Sequence, residues 1–130
     1  MPKQKAPRPT DAELEILSVL WQRGASTVRE VHGELNRRKP TLYTTVLKFM
    51  QIMTEKGLVE RDERERAHRY RARLPREQTQ QQLLTHLLDR AFEGSASKLV
   101  MQALSSKRTS AEELSRIRKM LDDFERGGGR

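Results

Sequence analysis

Cysteine is absent from this sequence of 130 residues, which excludes disulfides, thiolate zinc sites and thiol catalysis. No apolar run approaches the roughly 20 residues of a membrane-spanning helix, and no glycine-rich phosphate-binding loop is present. The three histidines, His32, His68 and His86, fall in separate predicted elements, with no carboxylate at the spacing of a metal or acid–base site. These absences argue against an enzyme, a metal site and a cofactor, and the lack of cysteine suits a reducing cytoplasm.

Positive charge is what the chain has in excess, with a formal net charge of +8. A surface this basic favours polyanions, with nucleic acid ahead of an anionic membrane. The excess is concentrated in residues 1–75, which hold 16 Lys and Arg against 10 Asp and Glu, whereas residues 76–130 hold 10 against 8. We therefore expect the first part to bind a polyanion and the second part to have another role.

Two capping boxes predict where the first two helices begin. Thr10 with Glu13, and Thr27 with Glu30, have the spacing at which a hydroxyl and a carboxylate each bind a free amide of the first helical turn. Gly24 is placed to end the first helix. The second helix is short and is expected to end near residue 36.

A third helix is predicted after the break RRKP, with Pro40 in its first turn and Gly57 at its end. Apolar residues repeat on one side of it with the helical period: Leu42, Val46, Phe49, Met50 and Met53. The opposite side is polar and carries no acid before the last turn: Thr41, Thr44, Lys48, Gln51 and Glu55.

Two strand-like segments follow, LVERD at 58–62 and RAHRYRARL at 66–74, joined by a stretch of mixed charge. In the second segment arginines alternate with other residues: Arg69, Arg71 and Arg73 lie between His68, Tyr70, Ala72 and Leu74. A period of two places the arginines on one face of a strand, with Tyr70 and Leu74 on the other.

Three short helices followed by a two-stranded hairpin are the order of a winged helix–turn–helix. In this fold the third helix enters the major groove of DNA, and the hairpin, or wing, lies along the DNA backbone. The wing arginines would then contact phosphates or the minor groove, which gives salt-dependent affinity without selecting a sequence. An ordinary surface helix and a solvated charged surface are the plainer alternatives for these two segments.

The part after Pro75 is predicted to form three more helices, at 76–94, 95–106 and 109–126, with a third capping box at Ser110 and Glu113. Their apolar stripes are too large to leave in water. We expect them to mediate dimerisation, the alternative being a small three-helix bundle closed within one monomer. The predicted dimerisation residues are Leu84, Leu87, Leu88, Phe92, Leu99, Val100, Leu114, Ile117, Leu121 and Phe124.

The predicted fold is therefore mainly α: an N-terminal winged helix–turn–helix with a two-stranded wing, followed by a C-terminal three-helix dimerisation region. The expected domains are a flexible basic arm at 1–9, a DNA-binding domain at 10–75, a helical dimerisation domain at 76–126 and a disordered tail at 127–130.

Five segments carry a resemblance to a known family: TDAELEILSVLWQRG, TVREVHGEL, YTTVLKFMQIMTEKGLVERD, RAHRYRA and SASKLVMQALSSKRTSAEELSRIRKML. They resemble the penicillinase and methicillinase repressors of the BlaI/MecI type, whose wider family includes copper-responsive CopY-type repressors. The resemblance implies a homodimeric winged-helix repressor that binds pseudo-palindromic promoter operators with TACA/TGTA-like half-sites.

Carried onto this sequence, the resemblance implies a recognition helix at 41–56 and a wing at 58–74, with Thr44, Thr45 and Lys48 as the main groove contacts. The DNA-binding residues predicted in all are Thr41, Tyr43, Thr44, Thr45, Lys48, Gln51, Arg69, Arg71 and Arg73. The same resemblance points to a membrane sensor protease system as a further partner, without insertion of this chain into the membrane.

Two departures from the family pattern bear on regulation. CopY-type members sense copper through C-terminal cysteines, which this chain lacks. The β-lactam-responsive members are cleaved at an Asn-Phe bond, and the matching residues here are Gln102 and Ala103. The main alternative function is a winged-helix adaptor for protein or RNA without sequence-specific DNA binding. Lys48 and the wing arginines favour DNA.

Overall fold

The computed structural model describes residues 7–106 and 109–127. The chain folds as three helices, two strands and three more helices: α1 (Asp11–Arg23), α2 (Val28–Arg38), α3 (Tyr43–Lys56), β1 (Val59–Asp62), β2 (Arg69–Ala72), α4 (Arg76–Ala91), α5 (Ala96–Ser106) and α6 (Ala111–Arg126). The predicted element order and the mainly α fold with a two-stranded wing are confirmed. Most of the predicted arm and tail, residues 1–6 and 128–130, lies outside the described residues.

Both N-terminal capping boxes are present as predicted. The Thr10 amide donates to Glu13 Oε1 at 2.9 Å and the Glu13 amide donates to Thr10 Oγ1 at 3.2 Å. The corresponding bonds between Thr27 and Glu30 measure 2.9 Å and 3.1 Å. Gly24 ends α1 with a φ of 90°, a region that a residue with a side chain rarely adopts.

The start of α3 differs from the prediction. The helix begins at Tyr43 with Leu42 as its N-cap, so Pro40 and Thr41 lie before the first turn rather than in it. Two side chains of α2, described below, hold the residues just before α3 outside the helix. Helical periodicity in the sequence does not predict these contacts. In addition, α2 continues to Arg38, two residues beyond the predicted end.

The core is formed by α1, α2, α3 and the wing. Its fully or nearly buried apolar residues are Ile16, Leu17, Val19, Leu20, Val28, Val31, Leu35, Val46, Met50, Met53, Leu58, Val59 and Tyr70. Leu42 is not among them: its side chain is 71% exposed, so its predicted place on the core side of α3 is wrong. As the N-cap, Leu42 lies before the first turn of α3 and outside the core.

The wing strands are antiparallel, with Glu60 opposite Arg71 and Arg61 opposite Tyr70. Tyr70 is buried in the core, which confirms the predicted alternation of β2. Tyr70 also forms a two-bond bridge with buried Ser26 in the turn between α1 and α2, with N···O distances of 2.9 Å and 2.8 Å. The wing is thereby joined to the helical part through its backbone as well as through its side chains.

A buried ion pair joins the start of α1 to the end of α3. Lys56 Nζ lies 2.8 Å and 2.9 Å from the two carboxylate oxygens of Glu13, whose side chain is almost fully buried. Burial acts to raise the pKa of Glu13. Hydrogen bonds from Lys56 and from the Thr10 amide, together with the charge of Lys56, outweigh burial and hold that pKa below its usual value.

Trp21 marks the junction between the wing and α4. Its indole Nε1 donates to the Leu74 carbonyl oxygen at 3.0 Å. The guanidinium of Arg76, the first residue of α4, lies 5.7 Å from the centre of the indole ring, in cation–π range. Thr79, one turn further along α4, is buried.

The chain divides into two compact units between Thr85 and His86. In the second unit, no described residue of α5 or α6 is buried. Ser110 caps α6 by accepting from the Glu113 amide at 3.0 Å, which is the hydroxyl half of the third predicted box. The predicted boundary at 75/76 coincides with the start of α4, and the domain roles assigned to the two sides stay a prediction.

Candidate nucleic-acid interface

The outward side of α3 carries an exposed polar surface. Of the predicted contacts, Tyr43, Thr44, Thr45, Lys48 and Gln51 are all exposed, and α3 has no acidic residue in its first turn. The opposite side is anchored in the core by Val46, Met50 and Met53. The helix is therefore fixed with hydroxyl, amide and ammonium groups facing solvent, the groups that bond base edges in a major groove.

The chain entering α3 is held by α2. The Thr41 amide donates to Asn36 Oδ1 at 2.9 Å, and His32 Nε2 donates to the Thr41 carbonyl oxygen at 2.7 Å. The Tyr43 ring packs edge-on against the His32 ring at 5.7 Å between centroids. Thr41 Oγ1 donates to the Lys39 carbonyl oxygen at 2.7 Å, so this predicted contact already has an intramolecular partner.

Each of the three wing arginines that are predicted to bind DNA, Arg69, Arg71 and Arg73, also has a protein partner. Arg71 pairs with Glu60 across the strands at 2.5 Å, and Arg73 Nε donates to the Gly57 carbonyl oxygen at 2.6 Å. Arg69 lies 3.5 Å from Glu30 of α2 and 3.4 Å from Glu65. Arg71 and Arg73 remain exposed, whereas Arg69 is partly covered. The three predicted phosphate contacts are therefore oriented by the protein itself, and carboxylates partly neutralise Arg69 and Arg71.

Arg69 belongs to a chain of charges along α2. Glu30 contacts Arg23 at 3.4 Å as well as Arg69, and Arg23 reaches Glu34 at 3.9 Å. The backbone hydrogen bond from Thr27 lowers the pKa of Glu30 most, and the two arginines lower it further against the opposing effect of desolvation. This arrangement couples the loop end of β2 to the capping box of α2.

The wing tip is also internally paired. Arg64 binds Asp62 through its guanidinium and its backbone amide, and these bonds lower the pKa of Asp62 to about 2. An open cavity of about 800 Å3 at this end is lined by Ala25, Glu60, Arg61, Asp62, Glu63, Arg64, Arg69 and Arg71. Small-molecule pockets are predominantly apolar, so this almost wholly charged lining is typical of a solvated surface instead.

Comparison with known proteins decides the family. The sequence profile of the penicillinase repressor family matches residues 9–123. The chain belongs to the penicillinase repressor family. The transcriptional regulator BlaI of Mycobacterium tuberculosis (strain CDC 1551 / Oshkosh) is 33% identical over 126 residues, covering 96% of this chain and 91% of that protein. The penicillinase repressor of Bacillus licheniformis is 22% identical over 120 residues, covering 92% and 94%.

The fold agrees with this membership. The solution structure of the DNA-binding domain of the repressor BlaI matches with a TM-score of 0.51 and 24% identity, covering 57% of this chain and 90% of that domain. The penicillinase repressor family is one of transcriptional repressors and not of enzymes. Among the described residues of this family member, no helix is long and apolar enough to cross a membrane.

Three residues that position the site of this penicillinase repressor family member are not predicted from sequence: Ser26, His32 and Asn36. They act through contacts with residues distant along the chain or across a turn, which helical and strand periodicity do not reveal. The N-cap place of Leu42 is also not predicted, because leucine is a poor N-cap residue and the break RRKP before it leaves the exact start of the helix open.

Proposed function

We propose that this chain is a sequence-specific, DNA-binding transcriptional repressor that acts as a homodimer on a pseudo-palindromic promoter operator. The observation that carries the proposal is the exposed polar side of α3, fixed on the core and packed beside β1 of a wing that bears exposed arginines. The proposed place of action is the cytoplasm, where the DNA is. The curated relatives named as a transcriptional regulator and a penicillinase repressor support the same function.

The contacts are proposed to divide into two kinds. Thr44, Lys48 and Gln51 lie where hydrogen bonds to base edges select sequence. Arg71 and Arg73 lie on the wing, where contacts to phosphates supply affinity that depends on salt. Thr41 and Arg69, which have partners inside the protein and are less exposed than Arg71 and Arg73, act mainly by holding α3 and the wing in place.

Dimerisation is proposed to use the apolar residues of α4, α5 and α6. Leu121 and Phe124 of α6 are 60% and 55% exposed, and Leu84, Leu87 and Val100 are also exposed. Leu88, Phe92, Leu99, Leu114 and Ile117 are only partly buried. A single winged helix reads few base pairs, so a two-fold dimer on a two-fold operator is the usual way to gain specificity.

Selection from a pool of random duplexes, followed by footprinting, tests the proposal. We expect an inverted repeat whose half-sites are one helical turn apart or a multiple of it. Lys48→Ala should lower affinity for the selected site and weaken discrimination at one base pair by about 1–3 kcal/mol. Lys119→Ala is the matched control, because Lys119 is an exposed lysine of α6 and should leave discrimination intact. Binding that shows no sequence preference would contradict the proposal.

One observation favours a second candidate, an adaptor that binds protein or RNA. The arginines of β2 are paired with carboxylates, which weakens the positive potential of the wing. The selection experiment separates the two functions, because an adaptor would enrich no duplex sequence.

A membrane sensor protease stays a proposed partner. The bond between Gln102 and Ala103, which matches the family cleavage site, lies inside helix α5. Proteolytic cleavage favours exposed loop tips. Release by cleavage at this bond would therefore require α5 to open locally first.

A further inference from the structure

Leu42 occupies the N-cap of α3, a position that the other capped helices fill with a hydroxyl residue. Thr10, Thr27 and Ser110 each accept a hydrogen bond from the third amide of their helix. Leu42 makes no side-chain cap hydrogen bond. Leucine is among the least favourable residues for an N-cap because its side chain leaves the free amides of the first turn without a partner.

Leu42 is also the most exposed large apolar side chain among the described residues, at 71%. The missing cap and the exposed leucine both disfavour the free folded protein. A residue that breaks local rules without an evident structural gain is expected at a functional site. This residue stands at the N-terminal end of the helix whose outward side carries Thr44, Thr45 and Lys48.

The backbone around Leu42 is held firmly. On one side, Thr41 is bound through its amide to Asn36 and through its carbonyl oxygen to His32. On the other side, the Tyr43 ring packs edge-on against His32 at 78°. Both neighbours are therefore anchored on α2. The leucine projects from a fixed backbone, which is the pre-organisation that a recognition contact needs.

We propose that Leu42 contacts the 5-methyl group of a thymine in the major groove and so contributes to operator selection. This inference rests on the proposed DNA-binding function. The N-terminal residues of a recognition helix are those that reach base edges. Thymine presents a methyl group in the major groove, and apolar side chains recognise it by contact. Uracil lacks that methyl group and keeps the same hydrogen-bonding groups.

The test measures equilibrium binding to the selected operator duplex and to duplexes in which each thymine in turn is replaced by deoxyuridine. For the unmodified protein we expect one thymine per half-site at which the replacement weakens binding by about three- to fivefold, as for loss of one buried methyl group. Leu42→Ser should bind the thymine and uracil duplexes equally. Leu42→Met, which keeps an apolar side chain of similar size, should retain the preference.

Three control measurements distinguish a thymine contact from a role of Leu42 in folding or self-association. Ala25→Ser replaces an exposed apolar side chain in the turn between α1 and α2, outside α3 and outside the proposed dimerisation surface, and should keep the thymine-to-uracil ratio unchanged. The melting temperature of Leu42→Ser should equal or exceed that of the unmodified protein, because serine supplies the missing cap. Sedimentation of Leu42→Ser should show the same oligomeric state as the unmodified protein.

The outcomes are distinct. Selective binding with no response to uracil at any position, or a uracil response that persists in Leu42→Ser, would overturn the role of Leu42 while leaving the proposed function intact. A clear fall in melting temperature or a change in oligomeric state would assign Leu42 to folding or self-association and overturn the inference. Absence of any selected sequence would instead overturn the proposed function.

Discussion

Among single residues, Glu13 has the most demanding position. A carboxylate that is almost fully buried is tolerated only when it is paired and hydrogen-bonded. Lys56 and the Thr10 amide meet that need at 2.8–2.9 Å. Removing one partner of a buried pair leaves an uncompensated charge, which costs far more than the intact pair contributes. The Glu13–Lys56 pair therefore fixes α3 against α1 and with it the direction of the proposed recognition helix.

The first prediction concerns Lys56→Met, which leaves the Glu13 carboxylate buried without its cation. We expect the free energy of unfolding to fall by about 2–3 kcal/mol, somewhat less than for a fully buried pair because the lysine is partly exposed. Urea unfolding at neutral pH measures this. Lys48→Met, which alters an exposed lysine of the same helix, should change stability little. Equal stability of both variants would show that the pair contributes nothing.

The second prediction follows from the lowered pKa of Glu13. Because the folded-state pKa lies below the usual value of 4.5, Glu13 contributes stability that is fully present above that pH and is lost as pH falls through the folded pKa. Glu13→Gln should therefore remove part of the loss of stability seen in acid. Exposed Glu15→Gln is the matched control and should retain the full acid dependence. Identical acid profiles for the two variants would contradict this interpretation.

At the scale of elements, the wing carries both arginines that would attract DNA and a carboxylate that would oppose this attraction. Arginines face outward along β2, but Glu60 lies directly opposite Arg71 and binds it. A carboxylate beside a phosphate-binding arginine repels the DNA backbone and competes for the guanidinium. In the proposed repressor, such an arrangement would lower the affinity that is independent of sequence, so that base readout by α3 would decide where the protein binds.

The third prediction separates the members of this pair. Arg71→Ala should weaken binding to all duplexes alike and flatten the dependence of log K on log salt by about one unit. Glu60→Gln should strengthen binding to all duplexes, selected or random, by a similar factor. Glu55→Gln, on the outward side of α3, provides a matched change of charge outside the wing. A change of sequence preference in Arg71→Ala would show that the arginine reads bases.

The elements also show what sequence patterns can and cannot predict. Helix starts governed by residues three apart, such as Thr10 with Glu13, are predicted correctly because the interaction is local. The predicted start of α3 is wrong because Asn36 and His32 of α2 hold Thr41 outside the helix. Likewise, the alternation of β2 correctly buries Tyr70, but its bridge to Ser26 spans 44 positions and leaves no periodic signal.

For the whole molecule, the two units differ in how many of their apolar side chains are buried. The first unit closes a core around Met50 and Val31, whereas the helices α5 and α6 have no buried described residue. Large apolar stripes that stay exposed in one chain are typical of self-association surfaces. The sequence predicts these stripes from local periodicity, but a partner that covers them leaves no pattern within one chain.

The fourth prediction addresses a second copy of the chain as that partner. Leu121→Asp with Phe124→Asp should shift the protein from dimer to monomer and weaken operator binding with it, because each buried leucine or phenylalanine contributes about 1.5–3 kcal/mol. Ala111→Asp with Ser115→Asp adds the same charge to other exposed positions of α6 and should stay dimeric. Sedimentation at micromolar concentration measures both. An unmodified protein that sediments as a monomer would end the dimer proposal.

The fifth prediction uses the absence of cysteine. Diamide acts on thiols, of which the chain has none, and the described residues contain no group of three potential metal ligands. Stoichiometric copper, zinc or diamide should therefore leave operator binding unchanged in an electrophoretic shift assay. Release of the DNA by any of the three at that dose would show a sensing site elsewhere in the chain.

The single tryptophan has a consequence for measurement. Trp21 donates a hydrogen bond to the Leu74 carbonyl oxygen and lies within cation–π range of Arg76, so its indole reports on the joint between the wing and α4. If that joint opens, the ring loses both partners and meets water, and its fluorescence emission shifts to the red. Stopped-flow fluorescence can then time the opening of the joint in the unlabelled native protein, with and without DNA.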